Sequence, residues 1–193
     1  MKIVTVSLFI VLIVGLSVFA SQAQAEEQNG VVIIYASRYG STARTAEWIA
    51  EGMEGKATVV SLKDVGDLGA YKNIILGSGI YFDQLHPDMS TFLETRGEEV
   101  RNKLLAVFVV CGTPPDQAQG YLDMFAEKCK AKPRLMRVFS GWIKKGLLSP
   151  EDNKSLEDYY KSINEPFEDY DSTDKAKCLE FGKEILGKMR EAK

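Results

Sequence analysis

The chain has 193 residues, 45% hydrophobic and 26% charged, with a formal charge of −3 and a pI near 5.4. That composition belongs to a folded chain long enough to bury a core in one domain, and it excludes intrinsic disorder. An acidic balance, with no basic cluster longer than "IKKG" or "KCKAKPR", argues against nucleic acid as a partner.

The first segment is unlike the rest. "MKIVTVSLFIVLIVGLSVFASQAQAEEQNG" joins Lys2 to an apolar run from Ile3 to Ala20, followed by the small-x-small pattern Ala23-Gln24-Ala25. It reads as a secretory signal over residues 1–25 cleaved after Ala25, with an uncleaved membrane anchor as the alternative. Residues 26–30 are then a linker and residues 31–193 one domain. The protein is expected to be exported, to a periplasmic or extracellular location, or held at a membrane if the segment is retained.

From Val31 the pattern alternates. Val31–Ala36 is a short β-branched run suited to a strand buried on both faces. Thr42–Gly55 is an amphipathic helix stopped by Gly55. Thr58–Leu62 is a second strand, Asp64–Ala70 a turn or poor helix, and Asn73–Tyr81 a third strand. Helices are expected at Pro87–Lys103, about Gln117–Lys130 and about Thr173–Met189, with strands at Leu104–Cys111 and Arg134–Phe139. Strand and helix in alternation imply an α/β fold: a doubly wound five-stranded parallel sheet in a three-layer αβα sandwich. Ligands of such sheets lie beyond the carboxyl ends of the strands, beside the first.

"SRYGST", Ser37 to Thr42, falls at that place. It lacks the lysine of a nucleotide-triphosphate loop and the repeated glycines of a dinucleotide loop. Two readings stand. Free amides of a helix N-terminus, hydroxyls and Gly40 would suit a phosphate monoester, or Ser41 or Thr42 would simply cap the helix.

"YASRYGSTARTAEWIAEGM", "YKNIILGSGIY" and "VFSGWI" resemble the phosphate loop, third strand and fifth strand of flavodoxin-like FMN-binding domains. They are especially similar to the branch that includes the menaquinone-dependent protoporphyrinogen oxidases. The resemblance covers nearly everything after residue 30. It implies that Ser37, Gly40, Ser41 and Thr42 hold the FMN phosphate. Tyr39 stands where flavodoxins often carry a second Thr, so only its amide would serve, and Arg38 would face water rather than brace the phosphate. Backbone groups of Gly79, Ile80 and Tyr81, and of Gly112 and Thr113, would flank the isoalloxazine, with Tyr81 or Phe82 stacking on it. The implied function is an FMN-binding redox protein, either an oxidoreductase of protoporphyrinogen or quinone type or an electron carrier, with an unidentified donor or acceptor such as a quinone. The alternative is a binding module that keeps the fold and has lost FMN.

Other candidates are weaker. His86 is the only histidine, which excludes a Ser-His-Asp triad away from it and a histidine-rich metal site; it reads as a surface loop residue. Cys111, Cys129 and Cys178 are widely spaced without a C-x-x-C, and read as small buried hydrophobes. Carboxylate runs such as "EDNKSLEDYY" read as solvated faces. Tyr121 reads as packing or surface. Gly141–Asp171, between the last strand and last helix, is an extension that would lid the flavin, meet a membrane or hold a partner. A receiver-type signalling domain needs an acidic residue where this chain has Gly77-Ser78-Gly79. No catalytic residue and no metal ligand is assigned.

Overall fold

A computed structural model describes residues 30–191. The proposed signal or anchor and all of the linker but Gly30 lie outside the described residues. The elements are β1 (Val31–Ala36), α1 (Ser41–Gly52), β2 (Thr58–Ser61), β3 (Asn73–Tyr81), β4 (Gln84–Leu85), α2 (Pro87–Arg101), β5 (Leu104–Cys111), α3 (Gln119–Cys129), β6 (Leu135–Ser140), β7 (Trp142–Ile143), α4 (Pro150–Ser162), β8 (Tyr170–Asp171) and α5 (Lys175–Glu191).

The main sheet has the order β2-β1-β3-β5-β6, all parallel, and the two-residue β4 pairs antiparallel with β3. Chain direction across the sheet reverses between β1 and β3, which places the switch point at their carboxyl ends. Successive side chains alternate between two cores, as the pleat requires. Val32, Ile34, Ile74, Leu76, Val107 and Val109 face α2 and α3. Val31, Ile33, Ile75, Ala106, Phe108 and Val110 face α1 and α5. All eight residues of β5 are buried, which is why its hydrophobic run shows no alternation of its own. At Gly77 the ring of Phe108 takes the space of a side chain: an added Cβ would lie 2.1 Å from it.

Helices α1 and α5 meet backbone to backbone. A Cβ on Gly52 would lie 2.3 Å from the Leu179 carbonyl oxygen, and one on Gly182 would lie 2.3 Å from that of Ile49. The extension between β6 and α5 is structured: β7 and β8 form an antiparallel ribbon and α4 lies between them. Cys111, Cys129 and Cys178 are free and buried, as expected. Burial pushes the Cys129 and Cys178 thiols up to about 12, the latter with help from Asp174. Among the described residues no helix is long and apolar enough to cross a membrane, and no cluster could hold a metal ion.

Candidate cofactor site

The chain leaves β1 at the switch point and turns through Ser37–Gly40 into α1. Gly40 takes φ +93°, in the left-handed region open to glycine, and its N–H donates to Ser37 Oγ at 3.1 Å. No side chain caps α1, and its first turn carries no acidic residue. Neither Ser41 nor Thr42 therefore acts as the helix cap, which removes one of the two readings of the loop. Thr42 is fully buried and its Oγ1 has no hydrogen-bond partner; Thr45 Oγ1, one turn on, is in the same condition. A buried hydroxyl left unpaired costs about 1–3 kcal/mol. An uncapped helix N-terminus with such a hydroxyl is suited to an anion.

Tyr81 folds over this loop. The Arg38 N–H donates to Tyr81 Oη at 2.8 Å, the Arg38 guanidinium lies 5.0 Å above its ring, and His86 meets the ring edge-on at 5.4 Å. The glycine at position 79 makes room for this: an added Cβ would be 2.8 Å from the Tyr81 ring and 3.1 Å from Thr42 Oγ1. Burial raises the Tyr81 pKa. Phe82 points the other way and is 70% exposed. It and Asp83 form the two-residue turn from β3 to β4, both with positive φ (49° and 59°). That is the signature of a type I′ turn, usually made by Asn-Gly, and an unusual place for a phenylalanine. Of the two stacking candidates, the inward one is Tyr81 and the outward one Phe82. Ile80 pairs with Leu85 and packs on the core.

His86 is a correction to the expected surface loop residue. It is 7% exposed, and its Nδ1 caps α2 by accepting the Asp88 N–H at 3.2 Å. Burial lowers its pKa and favours the neutral ring that this acceptor role requires.

The segment 141–171 is a strap that crosses the turn between β1 and α1. Gly141 brings its start beside α1: an added Cβ would lie 3.2 Å from Ser41 Oγ. The Trp142 indole N–H donates to the Tyr39 carbonyl at 3.0 Å. The Ser149 N–H donates to Tyr39 Oη at 3.2 Å, and that hydroxyl in turn donates to Asp152. Arg38 pairs with Asp152 at 2.6 Å. Burial alone would raise the Asp152 pKa, but hydrogen bonds from Tyr39 and Arg38, with the Arg38 charge, hold it below the usual carboxylate range. Two expectations are corrected here. Arg38 stays at the solvent edge but is bound to a carboxylate, and Asp152, within the run read as a solvated face, is 8% exposed.

On the β5 side, Gly112 abuts the strap: an added Cβ would lie 2.6 Å from Tyr170 Oη, whose pKa burial pushes up to about 12. Its close approach is thus to this tyrosine. The Tyr121 hydroxyl donates to Asp83 and lies 3.5 Å from Thr113 Oγ1. Tyr121 is therefore more than surface packing, because it bridges the turn after β3 and the loop after β5.

The structure thus gathers Ser37, Arg38, Tyr39, Gly40, Ser41, Thr42, Gly79 and Tyr81 at one end of the sheet, with Gly112 and Thr113 on the neighbouring loop. Asp152, Trp142, Ser149 and Tyr170 join them unforeseen. Ser149-Pro150-Glu151-Asp152 carries a helix-start signature that would have located α4. Nothing local in it announces the partner.

A parallel sheet of this order, with an uncapped hydroxyl-rich loop at its switch point, defines a flavodoxin-like α/β domain. A match to the flavodoxin domain family spans residues 32–161, and the chain belongs to that family. It is a family of FMN-binding redox domains, so FMN is the cofactor that membership implies. Solved structures with the same fold include a flavodoxin from the domain Archaea, 20% identical with a TM-score of 0.53, covering 83% of this chain and 99% of its own. Oxidised Flavodoxin 1 from Bacillus cereus is 24% identical with a TM-score of 0.53, covering 82% and 97%. The Flv1 flavodiiron core from Synechocystis sp. PCC6803 is 17% identical with a TM-score of 0.56; the likeness covers 94% of this chain and 41% of that one. At these identities the likeness is one of fold. No curated protein matches the chain.

The loop fits the phosphate of FMN on two counts: the unpaired, buried Thr42 hydroxyl and the uncapped first turn of α1. Two amides of the loop are already engaged, that of Arg38 by Tyr81 and that of Gly40 by Ser37.

Proposed function

We propose that this protein is an FMN-binding redox protein, exported or anchored through its N-terminal segment, that passes electrons between a donor and an acceptor of the quinone or tetrapyrrole class. The observation that carries the reading is the buried, unpartnered Thr42 hydroxyl beside the uncapped N-terminus of α1. Bound FMN supplies the electron transfer, by one or two electrons. The chain supplies the rest. Ser37, Ser41 and Thr42 donate hydroxyl hydrogen bonds to the phosphate, and the amides of Tyr39, Ser41 and Thr42, with that of Arg38 once Tyr81 yields it, neutralise it together with the helix dipole. Gly79, Ile80, Gly112 and Thr113 present backbone groups toward the ring edge. Phe82, exposed on a tight turn at the same end of the sheet, would be the aromatic to cover a ring face.

Export of the chain and the quinone or tetrapyrrole class rest on the N-terminal pattern and on the likeness of "YASRYGST" to the protoporphyrinogen oxidase branch. The test is to purify the protein, record its visible spectrum and titrate FMN while following thermal unfolding. At 100 times Kd, FMN should add about 2.7 kcal/mol of stability. A colourless protein without a thermal shift would instead support the second reading, a module that keeps the fold without FMN. Tyr81, whose hydroxyl takes the Arg38 amide, is the feature that favours that reading. Turnover of a soluble quinone by the loaded protein would separate an oxidoreductase from a carrier, which would show none.

A further inference from the structure

Helix α4 is docked in an unusual way. Asp152 is its only buried residue, so a carboxylate holds the helix where an apolar stripe ordinarily would. Both side-chain partners of that carboxylate are consecutive residues of the phosphate-side loop, Arg38 and Tyr39, more than a hundred positions away. The arrangement is closed on itself. Ser149 Oγ accepts the Asp152 N–H at 3.0 Å and so caps α4. The Ser149 N–H donates to the Tyr39 hydroxyl, which donates to Asp152. The position where this chain departs from the flavodoxin pattern, Tyr39, is thus the one the strap grips, by hydroxyl and by carbonyl. Within the loop itself, the Gly40–Ser37 hydrogen bond is the local tie.

We propose that Asp152 is a positioning residue for phosphate recognition. Through Tyr39 and Arg38 it fixes the backbone of residues 38–40 before ligand arrives. It also keeps the Arg38 charge paired outside the cradle, so that amides and hydroxyls read the phosphate. A loop ordered in advance gives up less conformational freedom on binding, which is the source of the affinity. The proposal rests on the reading of Ser37–Thr42 as the FMN phosphate loop.

The test compares the full chain with Asp152→Asn and Tyr39→Phe, the second of which removes a single hydroxyl and keeps the Arg38–Asp152 pair. Amide hydrogen exchange without flavin should quicken at residues 38–40 in both variants while β1 and the middle of α1 stay protected. FMN affinity should fall about tenfold in Asp152→Asn, and less in Tyr39→Phe, while affinity for riboflavin, which has no phosphate, stays unchanged. Unchanged exchange at 38–40 would overturn the proposal, as would an unchanged or tighter FMN affinity, or a parallel loss of riboflavin binding. Failure of the unaltered chain to bind FMN would sink the flavin reading instead, and the exchange comparison would still decide the role of Asp152.

Discussion

The indole of Trp142 donates to the Tyr39 carbonyl at 3.0 Å, and the same ring packs on Gly40, where an added Cβ would lie 3.3 Å from it. The first residue of β7 is therefore fastened to the turn between β1 and α1. Trp142→Phe keeps an aromatic ring and loses the donor, leaving the Tyr39 carbonyl without this partner. The expected cost is about 1 kcal/mol. It should fall on strap docking before global unfolding, and appear as faster proteolysis within residues 144–169.

Thr42→Val should move stability and ligand binding in opposite directions. Without ligand, the nearly isosteric valine removes a buried hydroxyl that has no partner, so the protein should gain about 1 kcal/mol by denaturant unfolding. With FMN, loss of a hydrogen bond to a charged phosphate should cost about 1.5–3 kcal/mol of binding. A variant that binds FMN as well as the parent would remove Thr42 from the cradle.

Tyr81→Phe should tighten FMN binding. The Tyr81 hydroxyl occupies the Arg38 amide, and a phosphate that uses this amide must displace it. Removing a competing bond worth about 1 kcal/mol predicts roughly fivefold higher affinity. Isothermal titration of the two proteins against FMN measures it, and equal affinities would show that phosphate leaves the Arg38 amide alone.

Acid should release the strap. The Asp152 pKa is held below its unfolded value, so its contribution is complete above the ordinary carboxylate range and is lost as pH falls through the lower folded value. His86 acts in a higher window. Its folded pKa lies below 6.5, so the stability of its neutral cap is complete above 6.5 and declines as pH falls through the depressed value. Trp142 emission, followed down in pH in a Trp48→Phe background, should report the strap transition. The same transition should be absent in Asp152→Asn.

Legibility followed locality. β3 and β5 occupy Asn73–Tyr81 and Leu104–Cys111 as read from the sequence, because β-branched runs between turn signals carry their own boundaries. The loop at Ser37–Thr42 was visible for the same reason, with hydroxyls and a glycine between a strand and a helix. Asp152 was not, since a carboxylate in "SPEDNKSLEDYY" looks alike whether it meets water or a guanidinium from the far end of the chain. The burial of His86 is not legible locally because it depends on Tyr81 closing over it, a tertiary event. Gly112 could be flagged as a close approach, but its neighbour, Tyr170, lies in a segment with no readable period.

The glycine notch between α1 and α5 gives the first helix a fulcrum. Gly52 and Gly182 lie at its carboxyl-terminal end, and the twelve residues of α1 put about 17 Å between that point and Ser41. A side chain forced into the notch would tilt a rigid rod, and about 3° of tilt carries the far end through nearly 1 Å. Gly182→Ala, on the back of the molecule, would then misalign the Thr42 hydroxyl while leaving every group around it chemically intact.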